Sequence, residues 1–287
     1  MTQPIPQDMH IERPMIDDLE IIEFQECGTG PHVIFLHGGP GLYGYMEAFC
    51  ESIADQCRAV YYEQRGSKQG NIDIGIEDHL RDLKRIVDHY AMVAKPIIVG
   101  HSWGAMLALL FAGRHSDSLG KVILIGSGPL SASQGDAFQQ ILQERFGDRQ
   151  DYYDRLWSAI DEEQDETKQQ TLADHYIEEM MEIYQMDPDS GREIQPRQWD
   201  YKGARRTMRE SDKSVEENKY VDALAQIKAP LTIIQGTRDV VSPESLFNLA
   251  RKHVSTVTTF ALARAGHYPW AGPCQKQFME ILKQELR

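Results

Sequence analysis

The chain has 287 residues, of which 41% are hydrophobic and 26% are charged, and its formal net charge is −14 at pH 7. This length and composition suit one large α/β domain with a sizeable core. The negative charge argues against nucleic acid as a partner, because a phosphate backbone needs a basic footprint. No stretch approaches roughly 18 uninterrupted apolar residues, so we predict neither a membrane span nor a membrane partner.

The N-terminal segment and the cysteines indicate a cytoplasmic location. The first eight residues contain neither the basic segment nor the apolar run of a secretory signal. The cysteines show no Cys-x-x-Cys spacing, so we expect reduced thiols at Cys27, Cys50, Cys57 and Cys274. Neither zinc-type Cys/His spacing nor a phosphate-binding glycine loop is present, and no metal or organic cofactor is predicted.

In chain order, short apolar and β-branched runs alternate with helical periodicity. The first half predicts strands over 19–24, 32–36, 58–62, 96–99 and 121–125. Between them, the segment 76–90 carries an apolar face with helical spacing, and a second helix is predicted over 105–114. Strands that alternate with helices predict an α/β fold with a mainly parallel, doubly wound sheet.

The β signal disappears between residues 131 and 220. This region is rich in Gln, Glu, Asp, Met and Tyr, and 148–193 alone contains 15 Asp/Glu against 4 Lys/Arg. We interpret 131–220 as a helical cap inserted between two parts of an α/β core, 1–130 and 221–287. The alternative is that these helices belong to the helical layer of the core. After the cap, we predict a strand over 231–234, a helix over 243–253, a strand over 256–262 and a terminal helix from residue 274.

The segment Gly100-His-Ser-Trp-Gly104 lies between a predicted buried strand and an apolar helix. This is the context of a nucleophile elbow, in which a sharp strand-to-helix turn exposes the serine hydroxyl. Glycines on both sides keep the bend free of steric clashes. We therefore predict that Ser102 is a catalytic nucleophile, the alternative being an ordinary turn serine.

A serine hydroxyl is a weak nucleophile that needs a base, and the base needs an acid to orient it. On this topology the partners follow the serine in the order acid, then histidine. Asp239 and His267 each lie in a loop after a predicted strand and complete that order. The alternatives are a helix N-terminal carboxylate for Asp239 and a surface histidine for His267.

Acyl transfer also requires hydrogen-bond donors for the developing oxyanion. The segment His37-Gly-Gly-Pro-Gly41 follows the strand over 32–36, where such a loop should lie. We predict the backbone N–H groups of Gly39 and Trp103 as the two donors and expect a cis bond between Gly39 and Pro40. The alternative is that this glycine and proline cluster is only a turn.

These motifs together resemble the proline iminopeptidases and their relatives in the α/β-hydrolase family. A third motif, Tyr62-Glu-Gln-Arg-Gly66, resembles that family's Asp-Gln-Arg-Gly segment. The resemblance covers roughly 20–130 and 225–287, and it implies the α/β-hydrolase fold, a Ser102–Asp239–His267 triad and no cofactor. Four features depart from the family. Glu63 replaces its usual aspartate, and Ser67-Lys-Gln-Gly lacks its common Gly-x-Ser continuation. Val240 stands where some relatives place a second acid, and Ser242 stands where proline-preferring members often have cysteine. These departures put strict proline specificity in doubt.

The same resemblance implies that a glutamate of the cap binds the substrate's protonated amine, about thirty residues before the triad acid. Glu210 lies closest to that place, and Glu179 is among the next candidates, with Glu178 and Glu182. The alternative is that the acidic residues of the cap only solvate exposed helix faces.

The leading hypothesis is a serine aminopeptidase that releases N-terminal proline, or another small apolar residue, from short peptides through an acyl-enzyme. The alternative is an esterase, lactonase or amidase acting on a small non-peptide substrate. A third hypothesis is a ligand-binding receptor that keeps the fold without turnover. Haloalkane dehalogenase and epoxide hydrolase chemistry is disfavoured, because those reactions need an aspartate at position 102. The partner is a small molecule or short peptide, and the oligomeric state stays open.

Overall fold

The computed structural model describes residues 24–67, 73–186 and 198–287. Most of the strand predicted over 19–24 lies outside these residues, and the first described strand begins at Phe24. The described strands are β1 (Phe24–Cys27), β2 (His32–Leu36), β3 (Leu42–Tyr43), β4 (Arg58–Tyr62), β5 (Ile97–His101), β6 (Lys121–Ile125), β7 (Gln198–Trp199), β8 (Leu231–Gly236) and β9 (Val257–Leu262).

Helices fill most of the remaining described chain. They are α1 (Met46–Glu51), α2 (Ile76–Ala91), α3 (Trp103–His115), α4 (Ala132–Phe146), α5 (Gln150–Glu162), α6 (Glu166–Gln185), α7 (Tyr201–Glu216), α8 (Lys219–Gln226), α9 (Pro243–His253) and α10 (Gln275–Glu285). No helix within the described ranges is both long enough and apolar enough to cross a bilayer.

Seven strands form one sheet in the order β1-β4-β2-β5-β6-β8-β9. All neighbours are parallel except β1 and β4, so the predicted mainly parallel sheet is confirmed. Successive residues of a strand face opposite sides of a sheet. In β2, Ile34 and Leu36 accordingly pack with α2 and α3, whereas Val33 and Phe35 pack with α1 and α10. The sheet is therefore covered by helices on both faces, as predicted for a doubly wound fold.

The carboxyl ends of the parallel strands meet at one edge of the sheet, and the loops that follow β2, β5, β8 and β9 gather there. Ligands of open α/β sheets bind at this edge. The four loops contain the sequence segments for which chemistry was predicted. The fold thus brings together residues that are far apart in the chain.

Among the described residues, the five helices α4 to α8 lie between β6 and β8 in the order of the chain. The described part of 131–220 is helical as predicted, apart from the two-residue strand β7. This strand pairs with β3 through Leu42 and Trp199, and Trp199 also donates its indole N–H to the Pro40 carbonyl at 2.9 Å. Sequence periodicity missed β7 because two residues carry no alternation, and its partner is distant in the chain. The division at residues 130 and 220 stays a prediction.

Candidate active site

Ser102 lies in the turn between β5 and α3. Its backbone has φ 55° and ψ −119°, a conformation that non-glycine residues rarely adopt and that is typical of functional sites. A Cβ on Gly100 would lie 2.2 Å from the Gly104 carbonyl oxygen, and one on Gly104 would lie 2.3 Å from the Leu36 carbonyl oxygen. Both positions therefore require glycine, because the chain reverses with its backbone segments in contact.

The structure brings Ser102, His267 and Asp239 into one hydrogen-bonded chain. His267 Nε2 lies 2.8 Å from Ser102 Oγ, and His267 Nδ1 lies 2.9 Å from Asp239 Oδ1. The carboxylate can only accept, so Nδ1 carries the proton and Nε2 is left to accept from the serine hydroxyl. The side chains of His267 and Asp239 are only 5% and 0% exposed, so solvent does not compete for these bonds.

Asp239 is held by further donors that the sequence did not reveal. Its Oδ1 accepts the Val240 N–H at 2.6 Å, and its Oδ2 accepts from Gln235 Nε2 at 2.8 Å. Gln235 is fully buried at the end of β8, and its Oε1 accepts the Ser127 N–H at 2.9 Å. A glutamine at the end of a strand predicted to be buried was the available signal. Gln235 fixes the carboxylate and thereby the orientation of the imidazole.

The predicted oxyanion loop lies directly against the nucleophile. A Cβ on Gly38 would lie 3.0 Å from Ser102 Cβ, and the Gly39–Pro40 bond is cis, as expected. Gly39, Ser102 and Trp103 line the same cavity. Trp103 begins α3, and the first N–H groups of a helix have no acceptor within it. Both predicted donors are thus at the cavity that contains the serine.

A buried bridge joins the oxyanion loop to the histidine loop. The Gly38 N–H donates to the Tyr45 hydroxyl, which donates to His101 Nδ1 at 2.9 Å. His101 Nε2 then donates to the His267 carbonyl oxygen at 3.1 Å. Burial holds the pKa of His101 well below its usual value, so the ring is neutral and can both accept and donate. The sequence did not indicate Tyr45 or this role of His101.

A cavity of about 1020 Å³ lies between the strand ends and helices α4 to α7. Most of its wall is apolar and includes Met106, Phe138, Leu142, Phe146, Ile177, Met180, Met181, Trp199, Met208 and Val240. Four carboxylates also line it, those of Asp136, Asp154, Asp212 and Glu216. The described lining residues include no lysine or arginine. The cavity wall is therefore largely apolar, and its carboxylates belong to solvent-exposed residues.

Glu210, predicted to bind a substrate amine, is not among the residues that line the cavity. Its Oε2 accepts the Ile76 N–H at 2.8 Å, and its Oε1 accepts from Arg206 at 2.8 Å. The prediction was wrong because the residue lies on the side of α7 that faces the start of α2. Its carboxylate is already occupied by the backbone of another helix.

Glu179 is also absent from the cavity lining, as are Glu178 and Glu182. The Glu179 carboxylate pairs with Arg149 and accepts from the Tyr153 hydroxyl at 3.1 Å. It therefore joins α6 to the start of α5 and does not meet a substrate near Ser102. Two carboxylates of α7 do line the cavity, Asp212, two residues beyond Glu210, and Glu216 at the end of the helix. Although Asp212 is open to the cavity, loss of hydration raises its pKa, and the charge of Glu216 adds to the shift.

Comparison with known proteins agrees with this architecture. A family described as alpha/beta hydrolase fold matches residues 31–270. A proline iminopeptidase of Xanthomonas citri is 32% identical over 120 residues, which cover 39% of this chain and 37% of that protein. A 2-hydroxy-6-oxo-6-phenylhexa-2,4-dienoate hydrolase of Comamonas testosteroni is 31% identical over 121 residues, which cover 39% of this chain and 42% of that protein.

The match to these curated relatives thus spans less than half of their own length. Among solved structures, a thermophilic esterase from Thermogutta terrifontis superposes with a TM-score of 0.63 at 18% identity, covering 93% of this chain and 91% of the esterase. At this identity the likeness concerns the fold alone. The family match extends over most of the chain, including β2 to β9. The chain therefore belongs to the alpha/beta hydrolase fold family.

Proposed function

We propose that this protein is a serine hydrolase in which Ser102, His267 and Asp239 form the catalytic triad. The observation that carries the proposal is the continuous hydrogen-bonded chain from Ser102 Oγ through the imidazole to the Asp239 carboxylate. It begins at a serine in a strained turn that opens into a large cavity. Nucleophile, base and orienting acid are the parts that acyl transfer needs.

In this mechanism Ser102 Oγ attacks the carbonyl carbon of the substrate while His267 Nε2 takes the hydroxyl proton. The negative charge that develops on the carbonyl oxygen is stabilised by the N–H groups of Gly39 and Trp103. The imidazolium then gives its proton to the leaving group, and an acyl-enzyme remains on Ser102. A water molecule, deprotonated by His267, hydrolyses this ester and regenerates the serine. Asp239 holds the imidazole and stabilises its charged form throughout.

For the substrate, we propose a short peptide or peptide-like amide with a free N-terminal amine, the terminal residue being proline or another small apolar residue. The four carboxylates of the cavity support this choice, because a protonated amine forms charge-assisted hydrogen bonds with a carboxylate. Asp212 takes the role first predicted for Glu210. The similarity to proteins named proline iminopeptidase supports the same class.

The alternative is a neutral ester, lactone or amide without an amine, and the largely apolar cavity wall favours it. A substrate with a carboxylate, as the name of the Comamonas relative indicates for that protein, is disfavoured. Such a substrate would place its negative charge among Asp136, Asp154, Asp212 and Glu216, with no cation among the described lining residues.

The test of the triad compares Ser102→Ala with Ser158→Ala, the same substitution at another serine that lines the cavity. Ser102→Ala should lower kcat by about 10⁴-fold or more, because the triad acts as a unit. Ser158→Ala should leave kcat nearly unchanged. Rates are measured on proline-arylamide and on a small neutral aryl ester, with circular dichroism to check folding. Ser102→Ala activity within tenfold of the unmodified protein would refute the proposed triad.

The same assay separates the two substrate classes when N-acetyl-proline-arylamide and alanine-arylamide are added. An aminopeptidase should cleave the free-amine arylamides and should have little activity on the acetylated one, because acetylation removes the charge that the cavity binds. Equal rates on free and acetylated arylamides, with faster cleavage of the neutral ester, would favour the esterase alternative while leaving the triad intact.

A further inference from the structure

The C-terminal turn of α6 touches the loop that carries His267. The His267 N–H donates to the Tyr184 carbonyl at 3.3 Å. Gln185, which is 3% exposed, accepts the Tyr268 N–H at 3.0 Å and donates to the Tyr268 carbonyl at 3.2 Å. A side chain that both accepts from and donates to one backbone residue restrains its position and its orientation.

The contact between α6 and this loop is also tight in the steric sense. A Cβ on Gly266 would lie 2.4 Å from the Gln185 carbonyl oxygen, so the two backbones are in direct contact. The Tyr184 ring lies 5.0 Å from the imidazole of His267, between centroids. A displacement of the end of α6 would therefore displace the catalytic histidine.

Arg145, in the last turn of α4, connects the same end of α6 to the loop that carries Asp239. Its guanidinium donates to the Ile183 carbonyl at 2.8 Å, to the Arg238 carbonyl at 2.8 Å and to the Asp239 carbonyl at 3.0 Å. No carboxylate lies within 4.0 Å of it in the described parts of the chain. Its hydrogen bonds go to three backbone carbonyls, two beside the catalytic acid and one in the cap.

We propose that Arg145 and Gln185 are positioning residues that hold the loops of Asp239 and His267 in the relative position that the triad requires. The proposal rests on the proposed function, since it assumes that these residues form the triad with Ser102. It assigns the cap helices α4 and α6 a part in assembling the catalytic groups, in addition to forming the cavity wall. Loops are the more mobile parts of a fold, and a misplacement of about 1 Å can cost about 10²-fold in rate.

Arg149 offers a matched control. It follows α4 by three residues, and it too contacts α6, through Glu179. Its guanidinium also lies over the rings of Tyr152 and Tyr153. Its described partners all belong to α5 and α6, so Arg149→Ala removes a cap arginine without removing a contact to the Asp239 or His267 loop.

The experiment measures kcat, KM and the pH profile of kcat/KM for Arg145→Ala, Arg145→Lys and Arg149→Ala. A small acetate ester is used, because its acyl group is too short to span the cavity, together with proline-arylamide. Arg145→Ala should lower kcat at least tenfold on both substrates by similar factors, with KM within about twofold, and should shift the pH profile. Arg149→Ala should change neither kcat nor the pH profile. Guanidinium at non-denaturing concentration should restore part of the activity of Arg145→Ala.

Unchanged kcat in Arg145→Ala would overturn the proposal, as would a change confined to KM for proline-arylamide, which would show a role in substrate binding alone. A loss that guanidinium does not restore, accompanied by a lower Tm, would show a purely structural role. If Arg145→Ala does not fold, Arg145→Lys decides by the same measurements, because lysine keeps the charge and loses the forked geometry. Full activity in Ser102→Ala would instead refute the proposed function, so the two failures are distinguishable.

Discussion

Two carboxylates of α7 that are only two residues apart have different surroundings. Glu210 accepts from Ile76 and Arg206, whereas Asp212 lines the cavity and has a raised pKa. Residues two apart on a helix lie on different faces. The sequence spacing therefore predicted a glutamate of α7 whose carboxylate meets α2, whereas Asp212 of the same helix lines the cavity.

Asp212→Asn should lower kcat/KM for free-amine arylamides. The loss of transition-state stabilisation should be about 1.5–3 kcal/mol, the scale of a hydrogen bond to a charged group. The same substitution should barely change kcat/KM for a neutral ester, which offers no ammonium. Glu210→Gln is the control and should alter the ratio of the two substrates by less than twofold. If Asp136→Asn or Glu216→Gln, and not Asp212→Asn, lowers kcat/KM for the free-amine arylamides, the amine binds elsewhere in the cavity.

The residues predicted to catalyse were identified because each lies in a local pattern of strand, turn and helix. Ser102, Asp239 and His267 needed only chain order and loop position to be named. Gln235 and Tyr45 were missed because their roles depend on partners supplied by other strands. Tyr45 and His101, for example, are 56 residues apart and meet only in the folded protein.

At the scale of elements, the start of α2 is capped by another helix. The N-cap position is Gly75, which has no side chain to accept from the first turn. Glu210 of α7 provides that acceptor for the Ile76 N–H, and a Cβ on Gly75 would lie 2.5 Å from its Oε2. Glycine at position 75 thus makes room for a carboxylate that also favours the positive end of the helix dipole.

Glu210→Ala should therefore lower the free energy of unfolding by about 1–2 kcal/mol, the cost of removing a helix cap. Urea denaturation measures this, with Glu217→Ala as the control. Glu217 pairs with Lys213 and Lys219 at the exposed end of the same helix, and its removal should lower the free energy of unfolding much less than Glu210→Ala does. Equal losses in the two variants would show that the contact to α2 contributes no more than a surface ion pair.

The helices and most strands of the core were predictable because their apolar residues recur with the helical period of 3.6 or the strand period of 2. The limits of β2, β4, β6 and α9 agree with the predicted ones. The strand β7 and the turn of α6 that contacts the catalytic loops were not predictable. Neither has a local pattern, since each is specified by its tertiary partner.

For the whole molecule, the distribution of acidic residues matters more than the net charge. Of the four carboxylates that line the cavity, only Asp154 belongs to the acidic segment 148–193. The other three belong to α4 and α7. Within its described residues, most of the acidic segment therefore covers outer helix faces, and the charge of the cavity comes mainly from other parts of the chain.

This charge predicts a pH dependence that separates recognition from chemistry. The ratio of kcat/KM for proline-arylamide to kcat/KM for a neutral ester cancels the titration of the triad, which both substrates share. The pKa of Asp212 is raised, so its carboxylate loses its charge at a higher pH than an ordinary aspartate does. Below about pH 7 the α-amine of the substrate is protonated, so the ratio should fall as pH decreases.

In Asp212→Asn the ratio should be lower than in the unmodified protein and should vary less with pH. Steady-state rates between about pH 5 and 7 check this, a range below the ordinary pKa of an α-amino group. A ratio that falls equally in both proteins would show that Asp212 does not cause the pH dependence. A constant ratio in the unmodified protein would show that no cavity carboxylate of raised pKa recognises the amine.

The central strands β6 and β8 are neighbours in the sheet, but helices α4 to α8 lie between them in the chain. During synthesis, the ribosome completes β6 and these helices before β8 exists. Until then β6 has an unpaired edge and its apolar faces lack their final neighbours, a state that invites aggregation. The two sides of the proposed triad meet only after this junction closes, since Ser102 and His267 are 165 residues apart. The proposed triad therefore cannot form until synthesis has passed β9, the last of the described strands.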